Sequence, residues 1–346
     1  MFGHWASAIT SNRSASTGSH TGPLGPVFFL LVIAGLQQAC APQAVQLPTV
    51  AVQPVYHSGI HRIAFDPSGR RLASGDLHGR IYVWSVPDGA MLQRFEHHHQ
   101  RITGLAWLDD GRLLSADHSG RLLITAVATG TVLTDVQFDA VTLLAVSPDR
   151  TWLVIADDDG IRKFLLPGLQ PEARQSLEGA PLAIAINHAG DRIAVSDSDG
   201  AVQLVDAALR PLGALPRPSR NLYDLAFSPD GSILLGGGWF RLLAWDLRTR
   251  RLDEYPTPHL GKINSVAISP DGAHWLSLGR VTDSQFLMTS ALTHQVERRF
   301  QSHALCGGQA RFSPDGRYAA SSSDDGSVHI YDLQAPYHPL VPYFEN

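Results

Sequence analysis

Lysine is nearly absent from this 346-residue chain, which holds only Lys163 and Lys262. Arginine therefore supplies almost all the positive charge, a bias we read as codon usage rather than function. With 27 Lys and Arg against 32 Asp and Glu, the formal net charge is −5. That balance gives no basic footprint for a nucleic acid. Cysteine is equally scarce: Cys40 and Cys306 are the full complement, and two residues make no disulfide framework. Catalytic signatures are missing as well. The chain has no Gly-x-Ser-x-Gly elbow, no His-Glu-x-x-His helix and no phosphate-cradling glycine loop. No spacing justifies a paired-carboxylate site, and Cys306 reads as a lone, small buried hydrophobe. Long apolar runs are lacking too. Residues 27–36 (VFFLLVIAGL) carry no charge but number ten. Ten is too few to span a bilayer and suits the core of a signal peptide.

What the chain does have is repetition. Residues 222–246 (LYDLAFSPDGSILLGGGWFRLLAWD) hold three short apolar runs broken by Ser228-Pro229-Asp230-Gly231 and by a glycine cluster. Runs this short, so bounded, read as antiparallel strands joined by tight turns. Proline presets φ, Asp caps the turn locally, and Gly accepts positive φ. The last residue of this turn recurs at 69, 111, 150, 190, 231, 272 and 316, spacings of 39 to 44. A second turn follows at a near-constant distance, at 76–79, 117–120, 157–160, 197–200 and 324–326. Seven units of about 40 residues with strand periodicity specify an all-β, seven-bladed β-propeller of four-stranded antiparallel blades.

Four pairs at the third strand, Trp84-Ser85, Val205-Asp206, Trp245-Asp246 and Tyr331-Asp332, carry a family resemblance. They stand where the WD40-repeat family has its Trp-Asp dipeptide. His57, His99, His259 and His303 stand where that family has the His of Gly-His, and Asp159, Asp199 and Asp325 match its tight-turn Asp. The resemblance covers roughly residues 48–335. Unit two departs from it with Thr125 in the Trp position, unit three with Leu165, and unit six with an insertion through Val281-Thr282-Asp283. It implies a platform for protein partners, which such propellers bind on the face bearing the His loops, the top face.

The two ends of the chain complete the organisation. The last unit has three strands of its own, so residues 49–53 (TVAVQ) are expected to supply its outer strand and close the ring. Closure removes sheet edges that invite association. Residues 336–346 would form a tail over the surface. Residues 1–40 read as a leader and 41–47 as a tether. Ala39-Cys40-Ala41 fits ordinary signal peptidase, although Pro42 would follow the cut. Alternatively Ala39-Cys40 resembles a bacterial lipoprotein signal with Cys40 lipidated, though Gln37 sits where Leu is preferred. The lipoprotein reading places the protein on the bacterial cell envelope, facing the periplasm. The alternative is a secreted or periplasmic soluble protein.

The candidate residues lie on the top face. His57, His61, His78, His97, His98, His99 and His118 crowd the loops of the first two units, a density that could ligate Zn²⁺, Ni²⁺ or Cu²⁺. No spaced Cys or carboxylate completes such a site, and several match structural positions, so no metal is assigned. Asp157, Asp158, Asp159, Asp197 and Asp199 could hold Ca²⁺ or a basic peptide, or simply cap their turns. Trp239-Phe240 in the second turn of unit five either folds back onto a neighbouring blade or anchors a partner. The reading that follows is a monomeric, non-catalytic scaffold without cofactor. A protein or peptide docks over the channel mouth, with Trp239 and Phe240 as anchors and Asp157, Asp158, Asp197, His97, His98 and His118 as candidate contacts. A cofactor-bearing quinoprotein-like propeller and a TolB-like envelope-assembly component are the alternatives.

Overall fold

A computed structural model describes residues 45–52, 59–86, 88–281 and 283–336. The leader with Cys40, most of the tether, His57, Gln53 and the tail beyond residue 336 lie outside the described residues. Twenty-eight strands form seven four-stranded antiparallel sheets. The innermost strand is the first of each sheet, except in blade seven where Gly307–Phe312 takes that place, and consecutive inner strands touch around a closed circle, Gly307–Phe312 returning to Ile60–Phe65. The protein is a seven-bladed β-propeller, as the 40-residue period requires.

Local chemistry explains each bottom turn. In blade five the Ser228 hydroxyl donates to Asp230 Oδ1 at 2.6 Å and accepts from the Ile233 N–H at 2.9 Å. Asp230 accepts from the Ser232 N–H at 3.1 Å, and Gly231 follows at φ +68°. The side chains thus saturate a reversal that brings the second strand back beside the first. Blade three repeats the device with Ser147 and Asp149, but Arg150 fills the glycine slot at φ +58°. That conformation costs a non-glycine residue roughly 1–2 kcal/mol.

Packing follows from strands buried on both faces. Seven apolar clusters occur among the described residues, each straddling two adjacent blades. Trp245 of blade five is fully buried among Leu204, Leu225 and Leu243, and its indole donates to the Pro216 carbonyl at 2.9 Å. One cluster joins Val328 and Ile330 of blade seven to Ile60, Leu72 and Trp84 of blade one. A blade that buries its faces only against neighbours cannot stand alone, so the ring is the unit that folds.

The N-terminal strand closes that ring. Val50–Val52 pairs antiparallel with Val328–Asp332, in the register Val50↔Ile330, Ala51↔His329, Val52↔Val328. Val52 points into the cluster between blades seven and one while Ala51 is exposed, the two-residue alternation of a half-buried strand. Gln46 lies within the segment expected to be a tether, yet it is built into the fold. Its N–H donates to the Arg299 carbonyl at 2.7 Å, its carbonyl accepts from Gln301 at 2.9 Å, and its side chain reaches the Asp332 carbonyl at 3.1 Å.

Candidate functional site

Three of the top-face histidines are interior. His98 accepts and donates between Asp117 Oδ2 and Ser115 Oγ, both at 2.8 Å. His259 sits between Ser277 at 2.9 Å and Asp283 at 3.2 Å, and His303 between Ser321 and Ser327, both at 2.8 Å. Burial lowers the basicity of His98 and, together with the charge on His329, pushes His303 down to about 3. These imidazoles tie the loop before an inner strand to the blade's second strand. In blade two the residue doing so is His98, whereas His99 is exposed. The position expected for His99 is therefore corrected by one residue, and His98, with its ring enclosed, is not available to a partner.

The turn carboxylates shift likewise. Asp76, Asp117, Asp157 and Asp197 end their second strands, and each accepts from the backbone N–H two residues on, at 2.9–3.0 Å. From the strand end an Asp Oδ1 reaches across the turn; from Asp159 or Asp199 it points outward and is exposed. Capping thus belongs to the earlier residue in these four blades; in blade seven Ser323 takes that place, accepting from the Asp325 N–H at 3.1 Å, while Asp325 accepts from the Ser327 N–H at 2.8 Å. Asp157, ion-paired with Arg162, and Asp197 are buried and engaged. Asp158 and His118 are exposed, and His97 is half-buried with its ring on the Gly130 carbonyl at 3.0 Å. Among the described residues no three His, Cys, Asp or Glu side chains converge on a metal-sized site.

Blade five breaks the pattern. Its second turn aligns with the others so that Gly237 stands in the capping-Asp slot and Phe240 in the glycine slot. Gly79, Gly120, Gly200 and Gly326 take φ between +80° and +90° there, and Phe240 takes +64°. Phe240 is 43 % exposed. Its carbonyl accepts from Thr257 at 3.0 Å and its N–H donates to the Gly261 carbonyl at 2.9 Å, which hold the strained residue in place. Trp239 behaves differently. It bridges to Lys262 of blade six, and its indole donates to the Tyr223 hydroxyl at 3.0 Å. The pair therefore divides, Trp239 packed back and Phe240 presented outward.

Tyr223 leads from that rim into the central channel, a cavity of about 980 Å³. The Lys262 ammonium lies 3.5 Å from the centre of the Tyr223 ring. Burial, with Arg280 adding repulsion, pushes Lys262 down to about 8. Arg280 pairs with Asp324 at 2.8 Å, and His61 meets the same carboxylate at 3.0 Å. Deeper, Asp224 accepts from Ser265 Oγ at 2.8 Å and the Val266 N–H at 3.0 Å, with Arg311 at 3.4 Å. Arg62 donates to the Thr103 carbonyl at 2.7 Å. Burial pushes Arg62 down to about 10, Asp224 opposing and the Arg311 and Arg101 charges adding. None of these cations was picked out from sequence. Arg62, Lys262 and Arg311 stand on inner strands and Arg280 ends the second strand of blade six, so only the ring shows that they line one channel.

The profile of the family described as "WD domain, G-beta repeat" matches residues 52–85, 89–125 and 295–332. WD40 repeats are thus present in blades one, two and seven. The chain is 30 % identical over 124 residues to the small ribosomal subunit protein RACK1 of Neurospora crassa, covering 34 % of this chain and 37 % of that one. It is 24 % identical over 204 residues to WD repeat-containing protein 1 of Bos taurus, covering 54 % and 33 %. A longer match, 22 % identical over 287 residues, joins it to the apoptotic protease-activating factor 1 of Rattus norvegicus, covering 80 % and 22 %. The chain spans roughly a fifth to a third of the length of these relatives.

Proposed function

We propose that the protein is a non-catalytic interaction platform whose top face docks a protein or peptide, with Phe240 as the projecting anchor. The observation that carries this is Phe240 itself, a large aromatic 43 % exposed and held at φ +64° where other blades place glycine. Strain at an exposed position survives only where something holds it, and it clusters at binding sites. Aromatic residues, phenylalanine among them, are enriched in the cores of protein interfaces. Trp239 supports Phe240 from behind rather than sharing the contact, while Asp158, His97 and His118 stand on the same face. The WD-repeat relatives are in keeping with a scaffold role. Replacing Phe240 with a photoreactive benzoyl-phenylalanine should crosslink the partner, and the same group at the exposed bottom-face Ser232 should not. Crosslinking from Ser232 alone overturns the reading.

The platform is carried on a membrane of the bacterial cell envelope through lipid on Cys40, in this reading. That part rests on residues 27–40 alone, the charge-free decamer followed by Ala39-Cys40. Stable anchoring needs more than one acyl chain, which a triacylated cysteine provides. Cys40→Ser should move the protein from membrane to soluble fraction, and a wild type already soluble sinks the anchor.

A further inference from the structure

We propose that the upper channel is an oxyanion site that receives the carboxylates of an acidic segment of the docked protein. This rests on the reading that the top face binds a protein, and it adds what that protein must carry. Among the described residues five cations line the channel, Arg62, Arg101, Lys262, Arg280 and Arg311, apart from Arg150 at its bottom turns. Two carboxylates meet them, Asp224 and Asp324, leaving an excess of three. Both carboxylates are already engaged. Asp224 holds the backbone and hydroxyl of blade six as well as Arg311, and Asp324 is shared by Arg280 and His61. Neither reaches Lys262, whose ammonium has the Tyr223 ring as its partner.

This concentration runs against the composition of the chain. The protein as a whole is acidic, with net charge −5, and holds two lysines. One of them lies in the channel, half-buried, without a carboxylate partner among the described residues. A desolvated ammonium and a crowded set of guanidiniums are unfavourable on their own. They become favourable when an anion enters, because charge-assisted hydrogen bonds strengthen where water is excluded. A cleft lined by one sign of charge with low-dielectric walls also focuses the field on an incoming anion. The channel as a whole, about 980 Å³ from the top loops to the bottom turns, admits a chain segment rather than a single ion. Tyr223 lines it and holds Trp239, the neighbour of Phe240, so one ligand can use both.

The test is fluorescence anisotropy of a labelled Asp/Glu decapeptide with the full chain. Unlabelled oligo-arginine, oligo-glutamate and inorganic triphosphate serve as competitors. Binding should be displaced by oligo-glutamate, ignored by oligo-arginine, and weakened several-fold between 50 and 200 mM salt, about the range in which exposed charge is screened away. Lys262→Gln with Arg101→Gln should weaken it about tenfold, whereas Lys262→Arg should retain it, which separates charge from folding. Phe240→Gly should leave decapeptide binding intact while weakening co-purification of the partner that benzoyl-phenylalanine at position 240 crosslinks. Failure of the decapeptide to bind a correctly melting protein overturns the channel assignment and leaves the Phe240 reading standing. Triphosphate binding more tightly than oligo-glutamate overturns the acidic segment as occupant.

Discussion

Val52 tests whether the N-terminal strand holds the ring shut. It is 8 % exposed and packs with Val328 and Ile330 of blade seven and with Ile60, Leu72 and Trp84 of blade one. Val52→Ala removes two methyl groups, at ~0.8 kcal/mol each, and leaves a small cavity between blades that cannot easily collapse. The expected loss is about 2 kcal/mol. For a domain of this size each kcal/mol moves the melting temperature by roughly 2 °C, so the midpoint should fall by about 4 °C in a calorimetric scan. Ala51 supplies the control, since it lies next in the chain but faces solvent. Ala51→Asp should shift the midpoint by no more than about 1 °C, because exposed substitutions stay within ±0.5 kcal/mol. Val52→Asp, which drives a carboxylate into the apolar cluster, should cost more than either. A Val52→Ala midpoint equal to wild type, with Val328→Ala still destabilising, would show that blade seven stands without its borrowed strand.

Three further outcomes are expected. Trp239→Ala should lower the melting point through loss of the indole bond to Tyr223, whereas Phe240→Gly should leave it equal or slightly raised by relieving φ +64°; a fall with Phe240→Gly refutes the strain argument. Stability should decline as pH drops below about 6.5, the ordinary histidine value, because His303 is held down to about 3 in the folded state. Below 6.5 the unfolded chain binds a proton that the buried imidazole resists, so stability is lost as pH falls. A His303→Gln variant as steep as wild type between pH 6 and 4, followed by urea unfolding, rules this out. Gly231→Ala should cost ~1–2 kcal/mol from φ +68° alone, since its new methyl would meet nothing closer than 3.5 Å; an unchanged urea midpoint would refute it.

The fold was legible because turn chemistry repeats in one dimension. Ser-Pro-Asp-Gly needs only neighbours in sequence to work, and the hydroxyl-to-carboxylate bond of Ser228 and Asp230 is a contact two residues long. Closure by residues 50–52 was legible for a related reason, a missing strand at one end and a spare one at the other. The details that slipped were one or two residues wide. Whether His98 or His99 turns inward depends on which ring faces Ser115 and Asp117, nearly 20 residues away. Whether the first or third Asp of a turn caps it depends on where the strand stops. The channel was not legible. Arg62, Arg101, Lys262, Arg280 and Arg311 come from blades one, two, six and seven, and only the ring brings their charges together.

Two irregular features, the strained Phe240 and the Lys262 ammonium against Tyr223, meet on one arc of the top face, and this bears on why they persist. Blade five could adopt the Asp and Gly that four other blades use in the same turn, and doing so would relieve roughly 1–2 kcal/mol at Phe240. Instead Gly237 lacks the capping carboxylate and Trp239 substitutes a long-range hold, its indole on Tyr223. Tyr223 in turn lies under Lys262, a cation left without a carboxylate. Two separate departures from local consistency, backbone strain and unpaired charge, are thus joined by a single tyrosine. Local rules fail together where a site is being served rather than a fold. Tyr223→Phe therefore has a specific expected effect: it removes the Trp239 bond while keeping a ring beneath Lys262, so it should loosen presentation of Phe240 more than it weakens the channel. A larger loss of acidic-peptide binding than of partner crosslinking at position 240 would break the proposed link between rim and channel.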